Sequence, residues 1–154
     1  MLFYGISILV IFIDQLAKYF VDKYMVYGQS VPVFNGFLQL TYVRNTGAAF
    51  SLFVGFSPYL IAVGVLAAIV VIFFHYRLPP EDIYLQMSMA FILGGSLGNL
   101  IDRVVRSFVV DYVDILIWPV FNFADVMINL GVILIAIKLF EKKESEVKDA
   151  PNPF

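Results

Sequence analysis

Between Leu93 and Asp125 the chain reads LGGSLGNLIDRVVRSFVVDYVDILIWPVFNFAD, and four acids, Asp102, Asp111, Asp114 and Asp125, interrupt or border otherwise apolar runs. Asn99, Arg103 and Asn122 accompany them. Ionisable groups at membrane depth cost a few kcal/mol or more each, so their presence points to function by default. Two carboxylates held close cannot both ionise. They share a proton, and the apparent pKa values belong to the pair. One member then activates water while the other protonates or hydrogen-bonds the carbonyl under attack. Spacing alone leaves open which aspartates meet. The thirteen residues between Asp111 and Asp125 suffice to fold back and bring those two together. Asp102 beside Arg103 reads as an acid already neutralised or as a brace, and Asp114 as a second exposed acid. The competing reading is that all four brace helix ends.

Composition narrows the chemistry. Of 154 residues, 61% are hydrophobic and 14% charged, with a mean hydropathy of +0.88. A soluble domain carries about 25% charged residues, so the surplus apolar surface belongs in lipid. A formal net charge of −2 argues against nucleic acid as a partner. The absence of cysteine excludes disulfides, thiolate catalysis and Cys-ligated metal. A lone histidine, His75, argues against a histidine-based zinc site or a Ser-His-Asp triad. A carboxylate pair needs no metal, cofactor or nucleophilic side chain, which suits this inventory.

The elements that must position these groups follow from the apolar pattern. We expect one integral membrane domain over residues 1–154, with spans near 2–24, 56–76, 83–105 and 121–140, since about 20 apolar residues cross a bilayer. Residues 28–53 break the helical pattern. The alternation Phe37-Leu38-Gln39-Leu40-Thr41-Tyr42-Val43 favours strand. The expected architecture is therefore an all-α membrane protein of four transmembrane helices, with a small extracytoplasmic β-platform between helices 1 and 2. The 107–119 segment reads as a connection, with Trp118 suited to the interface. His75, at the end of the second span, is expected to face the headgroups. The charged, Pro-containing tail 141–154 is expected to be mobile in water.

Within that frame Asp14 and Lys18 stand at i, i+4 on helix 1 in the favourable acid-first order. Ala90, Gly94 and Gly98 recur every fourth residue on helix 3, with Gly95 beside them, a face for tight packing in lipid. Asn122, Asp125 and Asn129 project from one face of helix 4. With alternate crossings, the end of helix 1, the end of helix 3 and the start of helix 4 share one membrane face. Asp14, Asn45, Asn99, Asp102, Arg103, Asp111, Asn122 and Asp125 then converge at one depth. A proton-coupled transporter would spread polar groups across the bilayer instead, yet Phe56–Tyr76 carries no charge and Leu130–Ile137 no polar side chain. A purely structural subunit leaves the Asn-plus-Asp face of helix 4 and the Asn45 segment unexplained. The Gly-x-Gly-Asp block that marks one class of intramembrane protease is missing here.

Five ordered blocks carry a resemblance over essentially the whole chain. They are Asp14-Gln15-x-x-Lys18, Arg44-Asn45-x-Gly47-Ala48-Ala49, Gly94-Gly95-x-x-Gly98-Asn99-x-x-Asp102-Arg103, Val109-Val110-Asp111 and Phe121-Asn122-x-Ala124-Asp125. In these the chain resembles lipoprotein signal peptidase (signal peptidase II), a family of bacterial membrane aspartyl proteases. The resemblance implies that Asp111 and Asp125 are the catalytic dyad. It implies that Asn45, Asn99, Arg103 and Asn122 line the site, while Asp14, Lys18 and Asp102 support the structure. Gly47, Ala48 and Ala49 would leave room for an extended peptide. Val126 stands where many members have Ser, and the Asp111–Asp125 connection is short. The implied reaction is hydrolysis before a diacylglyceryl-modified cysteine of a prolipoprotein, without cofactor or metal. The implied setting is the outer face of the bacterial cytoplasmic membrane, with both termini cytoplasmic, membrane phospholipid around the protein and a monomeric enzyme. The positive charges tie in number on the two sides. The cytoplasmic tail follows once Lys18, Arg44 and Arg103 are assigned to the internal site.

Overall fold

A computed structural model describes residues 1–34, 36–47 and 57–148. Element order is α1 (Leu2–Tyr24), β1 (Ser30–Phe34), β2 (Leu38–Asn45), α2 (Ser57–Arg77), α3 (Ile83–Arg106), β3 (Val109–Asp114) and α4 (Phe123–Lys148). Ala48, Ala49 and the end of the expected platform lie outside the described residues.

Among the described residues three helical stretches, Leu2–Tyr24, Pro58–Arg77 and Phe123–Glu141, are long and apolar enough to cross a membrane. The fourth expected span, α3, falls outside that group for a physical reason. It packs against α1, α2 and α4, so it buries Gln86, Ser88, Asn99 and Asp102 against protein. Hydropathy counts such residues as if lipid met them. The small-residue face lets the backbones close up. A Cβ on Gly98 would lie 2.6 Å from Asp14 Oδ2, and one on Gly95 2.5 Å from the Ala124 carbonyl oxygen.

On α1 the buried residues are Phe3, Ser7, Val10, Asp14, Lys18 and Val21, a single stripe at three- and four-residue spacing. The two charged groups thus sit on the same inward face as the apolar ones. Opposite them Ile8, Leu9, Phe12 and Phe20 are exposed, as a lipid-facing surface requires. At the far end from the sheet, Phe3, Ala68, Val71, Met89, Ala90 and Leu93 form an apolar cluster. His75 is stacked on Phe3 there, with ring centroids 3.7 Å apart, and its Nδ1 is 2.5 Å from Gln86 Oε1. It is half-buried against Phe3 and Gln86 near the end of α2.

The sheet corrects the expected platform. It has three antiparallel strands in the order β1-β2-β3, and its third strand comes from the α3–α4 segment that the sequence read as a connection. β3 is VVDYVD, with Val109 through Tyr112 all buried. Period-two alternation sends Val110 and Tyr112 into a cluster with Val21 and Tyr42. Asp111 is thereby turned to the opposite face. The last helix also differs from expectation: it starts at Phe123 and continues through Lys148, across charged residues assigned to the tail.

Candidate active site

α4 owes its starting point to Asn122. The Asn122 side-chain oxygen accepts from the Asp125 N–H at 3.0 Å, and Asp125 Oδ2 accepts from the Asn122 N–H at 3.2 Å. This reciprocal pair at N-cap and third helical position satisfies two otherwise orphaned donors. It also stops the Asp125 carboxylate from swinging away. Another orphan, the Ala124 N–H, donates to Asp14 Oδ1 at 3.0 Å. A carboxylate of α1 therefore caps α4, where the helix dipole favours negative charge.

Asp111 reaches the same place from the sheet. In the β2–β3 register Val43 faces Asp111, so Asn45, two residues on, is its diagonal neighbour on the same face. Asn45 Nδ2 donates to Asp111 Oδ2 at 2.8 Å, and the Asn45 oxygen accepts from the Gly47 N–H at 2.9 Å. Asn122 Nδ2 donates to Asp111 Oδ1 at 2.6 Å. Asn122 thus joins both acids, by its side-chain amide to Asp111 and by its backbone N–H to Asp125. Asn99 on α3 donates from Nδ2 to Asp125 Oδ1 at 2.8 Å. Asp111 is 2% exposed. Burial first, and repulsion from Asp125 second, raise its pKa to about 7 despite the two amide donors.

A second acid cluster lies just inside the bundle. Lys18 Nζ is 2.8 Å from Asp14 Oδ2 and 3.1 Å from Asp102 Oδ2, with all three side chains fully buried. Asp102 also accepts from the Val110 N–H at 3.1 Å, tying α3 to β3 next to Asp111. Gln15 donates to Asp14, Asp102 and the Gly98 carbonyl oxygen. The counterions of Asp102 are Lys18 and, at 3.5 Å, Arg106. The sequence had paired it with Arg103. Arg103 turns elsewhere: its Nη2 donates to the Gly47 carbonyl oxygen at 3.1 Å, fastening the segment after Asn45 to α3. Asp114 binds the Thr41 hydroxyl and the Leu116 N–H, holding the β3–α4 connection against the sheet.

The acid pair opens on a cavity of about 930 Å³. Asn45, Asn99, Arg103, Asp111 and Asp125 line it, together with an apolar wall of Val126, Leu130 and Ile133 on α4 and Trp118 from the β3–α4 connection. Asn129 lies on this wall but donates back to the Asp125 carbonyl oxygen at 2.8 Å. Among the described residues no three His, Cys, Asp or Glu side chains group as metal ligands. Sequence reasoning missed two features of the site: the capping exchange, whose signal was the Asn122-x-x-Asp125 spacing, and the strand that carries Asp111, whose signal was the β-branched run around it.

The arrangement has known relatives. Residues 6–141 match the family described as Signal peptidase (SPase) II. A lipoprotein signal peptidase of Moorella thermoacetica is 45% identical over 134 residues, covering 87% of this chain and 89% of the relative. One from Fusobacterium nucleatum is 38% identical over 152 residues, covering 96% and 92%. A solved structure described as a bacterial membrane enzyme superposes with a TM-score of 0.88 at 31% identity, covering 97% of this chain and 92% of that one. The chain belongs to the signal peptidase II family.

Proposed function

We propose that this protein removes signal peptides from diacylglyceryl-modified prolipoproteins, hydrolysing the peptide bond before the lipid-modified cysteine with water activated between Asp111 and Asp125. The observation that carries the reading is the pair itself: two carboxylates, fastened to one asparagine, lining a cavity that also has an apolar wall. A substrate with a lipid anchor and an apolar signal helix reaches such a site within the plane of the bilayer.

Asp111 carries a proton near neutral pH and Asp125 is the acceptor. Asp125 takes a proton from water, the resulting hydroxide attacks the scissile carbonyl carbon, and the Asp111 proton passes to the carbonyl oxygen. When the tetrahedral gem-diol collapses, the proton held by Asp125 goes to the departing nitrogen and one hydroxyl returns its proton to Asp111 as the carbonyl re-forms. The products are a carboxylic acid on the signal peptide, which gives its proton to water, and a free amine on the lipidated cysteine, with both aspartates as they began. Asn45, Asn99 and Asn122 hold the acids, and Arg103 holds the Gly47 segment that borders the site. Asp14, Lys18 and Asp102 support the helices that carry them.

α3 is the fourth span in this reading. Its 24 residues give about 36 Å of helix at 1.5 Å per residue, and Ile83, Tyr84, Val104 and Val105 are exposed near its ends. With Lys18 and Arg106 paired internally, the sequence leaves Lys23, Arg44 and Arg103 on the side of the site against Arg77, Lys138, Lys142, Lys143 and Lys148 on the other. That supports an outer-face site and cytoplasmic termini in the bacterial inner membrane.

The test is cleavage of a diacylglyceryl-modified prolipoprotein by purified protein in detergent or lipid. Wild type, Asp111→Asn, Asp125→Asn and Asp102→Asn are compared. Wild type cleaves, neither dyad variant does, and Asp102→Asn retains activity in proportion to its folded yield. Full activity in a well-folded Asp111→Asn protein would overturn the dyad assignment.

A further inference from the structure

We propose that Lys18 is a positioning residue for Asp125, acting through the amide of Asn99. The inference rests on the dyad reading above and assigns Lys18 a task beyond bracing α1 against α3.

A lysine ammonium has three donors and no acceptor. Here its third contact, after Asp14 and Asp102, is Asn99 Oδ1 at 2.8 Å. That contact dictates which way the Asn99 amide faces. Rotated by half a turn, Asn99 would point its NH₂ at a buried ammonium, leaving two buried donors opposed. Asn99 Oδ1 accepts a second bond from Asn122 Nδ2 at 3.2 Å, which fills both lone pairs. Asn99 can therefore only donate to Asp125. The Asn122 amide is fixed by the same logic, because its oxygen is taken by the Asp125 N–H. The donors run in one direction, from Lys18 to Asn99 to Asp125, starting from the one group unable to accept. Asp125 is left as the acceptor that water activation requires.

Bracing alone does not need this third bond, since Asp14–Lys18–Asp102 already joins the two helices. Loss of the third bond leaves Asn99 Oδ1 held by the longer 3.2 Å bond from Asn122 Nδ2, so the Asn99 amide is aimed less firmly at Asp125.

Single replacement of Lys18 leaves two buried carboxylates without their cation, so the test uses the Asp102→Asn protein as parent. There Lys18→Met and Lys18→Gln each leave one local negative charge from Asp14, the same sum as Asp14, Asp102 and Lys18 in wild type. The two differ in having or lacking an N–H donor. At equal folded yield, Lys18→Met lowers kcat about tenfold or more, leaves KM unchanged and displaces the pH profile of kcat. Lys18→Gln stays within about threefold of the parent. Equal kcat and equal pH profiles for Met and Gln overturn the proposal. Asn99→Asp with Lys18 intact gives a second arm: the new carboxylate still accepts from Lys18, so the protein folds, but it cannot donate and kcat is lost. Wild-type kcat in Asn99→Asp also overturns the relay. An active Asp125→Asn protein would sink the dyad reading itself. A dead Asp125→Asn beside an indifferent Lys18 series sinks the relay alone.

Discussion

Two pairs of aspartates lie side by side in this protein, three of the four acids buried and Asp125 half-buried, and they differ in what stands between them. Asp14 and Asp102 share the Lys18 ammonium, with Arg106 against Asp102. Asp111 and Asp125 share Asn122, an amide that satisfies lone pairs but brings no charge. The first pair is fully buried, and its oxygens also accept from Gln15, the Ala124 N–H and the Val110 N–H. The second opens on a cavity, and the Asp111 pKa stands near 7. In the proposed reading, identical side chains thus become a brace in one place and a proton-sharing pair in the other. A counterion removes the reason to share a proton, whereas neutral donors preserve it.

The largest way to break this contrast is to neutralise one member of each pair. Asp111→Asn or Asp125→Asn is expected to lower kcat by about 10³-fold or more with little change in thermal stability. Asp102→Asn should do the reverse, lowering Tm and folded yield while active-site-normalised kcat stays close to wild type. Next in size, Gly98→Val forces a side chain into Asp14, which a Cβ alone would meet at 2.6 Å. We expect destabilisation of about 1–3 kcal/mol, read as lost folded yield with KM unchanged in what survives.

The contrast sharpens if the open pair is given the cation of the closed one. Asn45→Lys would set an ammonium beside Asp111, whose carboxyl now accepts from Asn45 at 2.8 Å. Protonated Asp111 is the active form in the proposed reaction. Wild-type activity should therefore fall as pH rises through about 7, and in Asn45→Lys that basic limb should move to lower pH. An unmoved limb in a folded variant would mean that another group sets it. The smallest effect on stability is expected from Asn122→Ser, which keeps an N-cap acceptor for the Asp125 N–H and adds no charge beside Asp111, so helix capping should change by less than about 1 kcal/mol. It removes the donor to Asp111, so kcat falls while Tm moves little.

Much of this was legible in the chain. The α1 bounds, the Asp14–Lys18 spacing and the small-residue face of α3 are local patterns, and each element obeys them. The resemblance carried by five short blocks gave the family that residues 6–141 match. What stayed hidden depends on contacts distant in sequence. VVDYVD has strand composition, but its pairing with β2 is a partnership of residues about 70 apart in the chain. Asp102 stands next to Arg103 in sequence, yet neighbours on a helix point in different directions, so its cation came from α1. α3 was expected as a span, while its hydropathy is diluted by polar groups that other helices cover.

Sequence by itself pointed to a membrane-embedded protein and to carboxylates as the candidates for acid/base chemistry, and it located the short motifs that carry them. Composition and periodicity suffice for that, because lipid, backbone geometry and the side-chain inventory act locally. Only the tertiary structure decided which aspartate receives a cation and which receives an amide. That choice depends on α1, α3, β3 and the start of α4 meeting at one point, where a few ångströms separate Lys18 from one pair and Asn122 from the other.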